Sequence, residues 1–388
     1  MERDDFLLEY IHHQLVISET LGLKAWLTQS AQYRAAWRFD LCLQLIRMIK
    51  AEKLSPLALG LAKNDEGLVY AQQGHWQEAI RCYQHALTIF DTHGNEAGRM
   101  TVLPNLGNTH YHLGQWSEAE AYFQECLEIA RRRHHWQTES AVLNNLGMLY
   151  KDQGQWADAL NYLQADLALC RETNDAHGAA QTLVNLGDVY QHIGDMERAI
   201  ACLKESLSYF KIQNDQHGMA STCNDLGIVY WCQGSLNQAT ACFEQSLRIK
   251  QSLRDLVGTA HTLSNQGAVY RQLGNTDQGR ACYEQALALC RDLGDLDGEA
   301  GALNNVGLLH YDAGEEALAR QSYNASLAIH QRTGNRHGEA QVLFNLGLLL
   351  RRLGQSAEAQ HCFEQSASIF QEIGDEENAS VARETARL

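Results

Sequence analysis

The sequence predicts an all-α protein: a right-handed α-solenoid of about eight helix-turn-helix units with helical caps. Four observations lead there. A glycine recurs every 40 residues, at Gly67, Gly107, Gly147, Gly187, Gly227, Gly267, Gly307 and Gly347. A second set follows seven residues later, at Gly74, Gly114, Gly154, Gly194, Gly234, Gly274, Gly314 and Gly354. Twelve residues after the first glycine stands an alanine (Ala79, Ala119, Ala159, Ala199, Ala239, Ala319, Ala359), with Gly279 the exception. Sixteen after it stands a large apolar residue: Tyr83, Phe123, Leu163, Leu203, Phe243, Tyr283, Tyr323 or Phe363. A strict period of this length marks a stack of like units, each packed on its neighbours.

Each unit reads as two helices. In one, Ala300, Leu303, Val306, Leu309 and His310 recur at three- and four-residue spacing between Gly298 and Tyr311, an amphipathic helix A. Gly314 closes it, since glycine reaches the left-handed conformation of a helix end. Glu315 and Glu316 favour the positive N-terminus of helix B, which runs to about Ile329. Ala319 leaves room for close helix approach, while Tyr323 and Leu327 fill the gap to the next unit. The first glycine lies inside helix A, where it costs about 1 kcal/mol relative to alanine. A side chain at that slot is therefore expected to collide. Gly-Asp-like turns such as Gly294-Asp295, Gly334-Asn335 and Asn214-Asp215 end the units.

The spacings resemble the tetratricopeptide repeat in a lengthened form; the usual unit is ~34 residues with an L-G-x2-Y…A-x3-F signature. Tyr70, Tyr150, Tyr190, Tyr230 and Tyr270 fill the tyrosine slot, and Asn145-Leu146-Gly147-Met148-Leu149-Tyr150 shows its first part intact. The family's repeat-end proline is missing, because the chain has only Pro56 and Pro104. The resemblance implies that helix A lines a concave groove. It divides the chain into an N-terminal helical cap or degenerate repeat (1–56), eight tandem units (57–375) and a C-terminal capping helix (376–388). Within the first segment, Phe6, Leu7, Tyr10, Ile11, Leu15 and Ile17 fit one amphipathic helix, and Trp37, Leu41, Leu45, Met48 and Ile49 another.

Composition narrows the function. A net charge of −16 argues against a nucleic-acid phosphate binder. No apolar run approaches the ~18 residues of a membrane helix, and the acidic start is no signal peptide, so a cytoplasmic protein is expected. Of eleven cysteines, Cys82, Cys202, Cys242, Cys282 and Cys362 share one slot on helix B. Equivalent positions on stacked helices are about 8–10 Å apart, too far for a disulfide or shared zinc. No phosphate loop, nucleophile elbow or H-E-x-x-H is present. No catalytic residue, metal or cofactor is expected.

The groove carries what remains. Two residues before the first glycine runs a ladder of Asn105, Asn145, Asn185, Asp225, Asn265, Asn305 and Asn345, starting from Asp65. Asparagine is a mediocre helix former, yet its amide both donates and accepts. It can grip the main chain of an extended peptide, or bond the neighbouring repeat and stiffen the stack. Four residues after the glycine stand Ala71, Tyr111, Lys151, Gln191, Trp231, Arg271, Tyr311 and Arg351. Aromatic and arginine anchors of this kind are expected to read a partner's side chains.

The ladder and the Asn-Leu-Gly motif resemble the Pins/LGN polarity scaffolds and bacterial tetratricopeptide proteins, which implies an extended peptide along an asparagine-rich groove. Of the second asparagine those scaffolds place after the glycine, only Asn108 matches. Their arginine six residues before it is replaced by Thr101, Ala141, Gln181, Ser221, His261, Gly301 and Gln341. The expected function is a non-catalytic scaffold for a protein or peptide partner. The alternative is a regulator resembling the Rap type, whose N-terminal helices act on a target under control of a peptide in the groove.

Overall fold

Helices start and stop where the turn residues dictate. The computed structural model describes residues 2–51 and 55–387, with side chains described for all of these except 2–6, 16 and 49–51. Among them the only regular elements are twenty α-helices. Three precede the repeats: α1 (Glu2–Ile17), α2 (Glu19–Ala35) and α3 (Phe39–Ala51). Helices A and B then alternate as α4 (Pro56–Gln72) and α5 (Trp76–Thr92), α6 (Glu96–His112) and α7 (Trp116–Arg132), α8 (Trp136–Asp152) and α9 (Trp156–Glu172). They continue as α10 (Ala176–Ile193) and α11 (Met196–Gln213), α12 (Gln216–Cys232) and α13 (Leu236–Leu253), α14 (Leu256–Gln272) and α15 (Thr276–Leu293). The last pairs are α16 (Leu296–Asp312) with α17 (Glu316–Thr333) and α18 (Arg336–Arg352) with α19 (Ser356–Glu372), followed by α20 (Glu376–Arg387).

Each A-to-B turn passes through the second glycine at φ between +70° and +88°, the left-handed region that ends a helix. The B-to-A turns use a left-handed residue too, among them Asn214, Arg254 and Gly294. In all but one of these turns an Asp or Asn follows and caps the next helix, His135 being the exception: Asp215 Oδ1 accepts from Gly218 N at 2.9 Å, and Asp255 Oδ1 from Gly258 N at 2.8 Å. These caps do the work of the absent proline.

The first glycine is a packing residue. A Cβ on Gly107 would lie 2.4 Å from the Phe123 ring, on Gly227 2.6 Å from Phe243, and on Gly307 2.6 Å from Tyr323. The buried ring thus presses on its own repeat's helix A. It reaches the next repeat as well, since Tyr323 shares a core with Val342 and Leu346. The alanines at the next slot are fully buried or nearly so.

By packing, the chain divides into two compact units, residues 1–189 and 190–388. In the first, Ile11, Leu15, Trp26, Leu45 and Ile46 form a core with Ala58 and Ala62 of α4. Three helices stand here rather than the two expected. Trp37 does not belong to the second: it sits at φ +56°, exposed, with its ring edge-on to Phe39. Tyr10 and Ile17 are likewise exposed rather than on the buried face. Phe6 and Ile49 lie outside the described side chains. In the second unit α20 buries Ala379 and Ala382 and packs on α19; Leu388 lies outside the described residues.

Helix A of one repeat touches helix A of the next. This holds for α4 with α6 and α6 with α8 in the first unit, and for α12, α14, α16 and α18 in the second. No pair of B helices packs to the same extent. The helix-A side is therefore the inner side of each stack.

Candidate functional site

Two rows of polar side chains occupy that inner side. The first is the asparagine ladder, and the structure divides it. In the first unit Asn105 Nδ2 donates to Asn64 Oδ1 at 2.9 Å, and Asn185 Nδ2 to Asn144 Oδ1 at 3.3 Å. In the second, Asn265 Nδ2 donates to Asn224 Oδ1 at 3.3 Å, and Asn345 Nδ2 to Asn304 Oδ1 at 2.9 Å. Every acceptor stands three residues before the first glycine of the preceding repeat. Asparagine fills that slot in alternate repeats only; Pro104, Val184, Ser264 and Phe344 hold it in the others. Rungs with and without this Asn–Asn bond consequently alternate.

The remaining rungs have different surroundings. Asp65 is buried and forms an ion pair with Arg34 and a hydrogen bond with Ser30, both on α2. It belongs to the joint with the N-terminal helices rather than to an open face. Asp225 accepts from the neighbouring Asn224 at 3.4 Å. Asn145 and Asn305, and Asn108 one residue past its glycine, are half-buried and carry no hydrogen bond to any described residue.

Two acceptor asparagines are fixed from behind by buried charge. Asn144 Nδ2 donates to Asp166 at 3.5 Å, while the same buried carboxylate accepts from Ser140 at 2.5 Å and Thr182 at 2.6 Å. Asn224 Oδ1 accepts from Thr262 at 3.2 Å, whose hydroxyl takes a 2.8 Å bond from Lys250. Burial lowers the Lys250 pKa, against the pull of Asp255 and Asp225. Such backing holds each acceptor in one orientation.

The second row contains the expected readers, and each is tied to a neighbouring element. Tyr111 Oη donates to Asp152, and Lys151 Nζ pairs with Asp188 at 2.8 Å. Gln191 Nε2 lies 4.0 Å from Cys232 Sγ, Trp231 Nε1 donates to Gln272 at 2.6 Å, and Arg271 pairs with Asp312. The Tyr111 pKa is raised, first by burial and then by its bond to Asp152. Arg352 stacks on Tyr311 at 5.0 Å and donates to its carbonyl oxygen. Arg351 lies 5.3 Å over the Phe363 ring and reaches the Thr385 carbonyl on α20 at 3.4 Å. Most partners stand five residues past a first glycine, a slot the sequence reading left out.

Near the C-terminal end, a pocket of about 290 Å³ opens between α16, α18, α19 and α20, lined by Phe344, Phe370 and Val381 and by the Asn304–Asn345 pair. All eleven cysteines are free thiols; burial pushes the Cys223 and Cys282 pKa values up to about 11. Among the described residues no group of three or more His, Cys, Asp or Glu is placed to hold a metal. No described helix is long and apolar enough to cross a membrane.

The tetratricopeptide repeat family model matches residues 59–132, 138–212, 178–252, 258–328 and 298–372, well over half of the chain. Among solved structures, the apo form of RapI aligns over 91% of this chain and 97% of its own, at 14% identity and a TM-score of 0.69. The apo form of the quorum sensor NprR from B. thuringiensis covers 84% and 96%, at 17% identity and 0.51. Aspartyl phosphate phosphatase F from Bacillus subtilis covers 87% and 94%, at 13% identity and 0.54. Identities this low establish likeness of fold alone. No curated protein sequence matches significantly. With its all-α solenoid of paired helices and a family match along most of its length, the chain belongs to the tetratricopeptide repeat family.

Proposed function

We propose that the protein is a non-catalytic scaffold that holds an extended peptide or partner segment along the inner, helix-A side of its repeats. The observation that carries this reading is the presence there of Asn108, Asn145 and Asn305, half-buried amides with no bond to any described residue. An amide in that position supplies a donor and an acceptor, which suits the main chain of an extended ligand. Panning a random linear-peptide library against the full chain tests the proposal, with hydrogen exchange to map where selected peptides bind. Protection of A helices supports it. Peptides that protect only B helices, or a library that yields none, overturn it.

A second reading has a specific basis. An alignment with RapI that reaches 91% of the chain takes in part of the segment before the repeats. There the buried Asp65 of the first repeat is bonded to Arg34 and Ser30 of α2. Under this Rap-like reading a peptide on the repeats regulates an effector surface on α1–α3. Bound peptide then alters hydrogen exchange in α1–α3, whereas a simple scaffold leaves it unchanged.

A further inference from the structure

From the alternation of the asparagine ladder we infer a division of labour that rests on the scaffold reading. Asn105, Asn185, Asn265 and Asn345 are stitches that join a repeat to the one before it. Asn108 and Asn145 in the first unit, and Asn305 in the second, are each a grip on a peptide main chain. The two kinds share helix and face, and Asn145 and Asn305 even share the ladder's slot; what differs is the residue 41 positions earlier. For the stitches it is Asn64, Asn144, Asn224 or Asn304, each of which accepts the rung's amide hydrogen. For Asn145 and Asn305 it is Pro104 and Ser264. Proline's ring offers no acceptor, and the Ser264 hydroxyl is not bonded to Asn305.

The chemical consequence follows from amide geometry. A stitched asparagine has one N–H committed and its plane fixed, by a partner that is itself held from behind at Asn144 and Asn224. An unstitched one keeps both N–H groups and its carbonyl, and it turns to meet a peptide N–H and C=O together. Such a grip is blind to side chains. In the first unit Asn108 and Asn145 lie on adjacent A helices, which pack against each other. Helices packed side by side run about 8–10 Å apart, the length of about three extended residues. The ligand class is an extended peptide segment held by its main chain over roughly that length.

A selected library peptide whose hydrogen-exchange footprint includes α16 is the probe, with affinity by calorimetry well below melting and stability by circular dichroism of the full chain. Asn145→Ala with Asn305→Ala is expected to weaken binding by about tenfold or more, as one hydrogen bond of about 1.4 kcal/mol or more is lost, with melting unchanged or slightly raised. Asn185→Ala with Asn265→Ala is expected to lower melting and to change affinity less than about threefold. Ser264→Asn supplies the missing acceptor and leaves Asn305 in place. It should raise melting and weaken binding, while Ser264→Ala does neither. Equal losses of affinity from both double variants, or full affinity in Ser264→Asn with raised melting, overturn the division while the scaffold reading survives. Absence of any selected peptide overturns the scaffold reading and the binding role together.

Discussion

Inside a repeat and between repeats, the same period follows different rules. Inside, the glycine meets the large apolar side chain sixteen residues on wherever the contact is described, a ring in most repeats and Leu163 in one, because a Cβ there would fill the space that side chain occupies. Between repeats the asparagine bonds alternate. Close packing admits almost no variation, whereas a half-buried polar slot tolerates Asn, Pro, Val, Ser or Phe. The uniform contacts therefore build the stack, and the variable ones are available for function.

The contrast is sharpest where the joint is removed. Phe243→Ala empties a site beside Gly227 that is completely buried, and such losses amount to about 3–5 kcal/mol. Chemical denaturation should show the largest loss here; a loss below about 1 kcal/mol would mean that the joint collapses without cost. Gly227→Ala presses a methyl into the same ring. Overpacking costs about 1–3 kcal/mol, offset in part by the roughly 1 kcal/mol gained in helix propensity. Net destabilisation is expected, and a net gain would contradict the steric account of the period.

A pH experiment tests what happens when a buried slot is filled by an ionisable side chain. The end of helix B is buried with Phe90, Phe210 and Phe370 in three repeats, but with His330 in another. Burial lowers the His330 pKa, against Asp297 and Glu339 and with a small contribution from His337 in the same direction as burial. As pH falls below the ordinary histidine value the unfolded chain takes up the proton first, so stability drops until the folded value is passed. The slope cannot exceed about 1.4 kcal/mol per pH unit. His330→Phe should remove this part of the acid sensitivity, and an unchanged difference between pH 7.5 and pH 5 would refute it.

The smallest effect belongs to the face. Asn265→Ala loses a bond worth about 0.5–1.5 kcal/mol but gains helix propensity, so its net cost should stay below about 1 kcal/mol. A loss matching that of Phe243→Ala would place the ladder in the core and erase the contrast.

Much of this was legible in the sequence. The helix pairs, the turn glycines and the collision at the first glycine follow from spacing alone. The acceptor alternation at Asn64, Asn144, Asn224 and Asn304 is also written there, as a two-repeat period one residue before the ladder. It is easily passed over because the 40-residue period dominates. The N-terminal segment is less legible. Trp26, completely buried in its core, stands in no repeat, so nothing marked α2 as a separate helix or Trp37 as the turn that follows it.

The sequence by itself determined that this chain is a stack of helix pairs with one joint per unit between a glycine and a large apolar side chain. Local propensity and steric fit recur every 40 residues and need no distant information. Only the tertiary structure decided which polar residues face one another across repeats. It turned Asp65 toward α2, tied Trp231 to Gln272 and Arg271 to Asp312, and left Asn145 and Asn305 without a partner among the described residues. A hydrogen bond depends on the distance and direction between two side chains. Those are set by how one repeat docks on the next, which no single repeat contains.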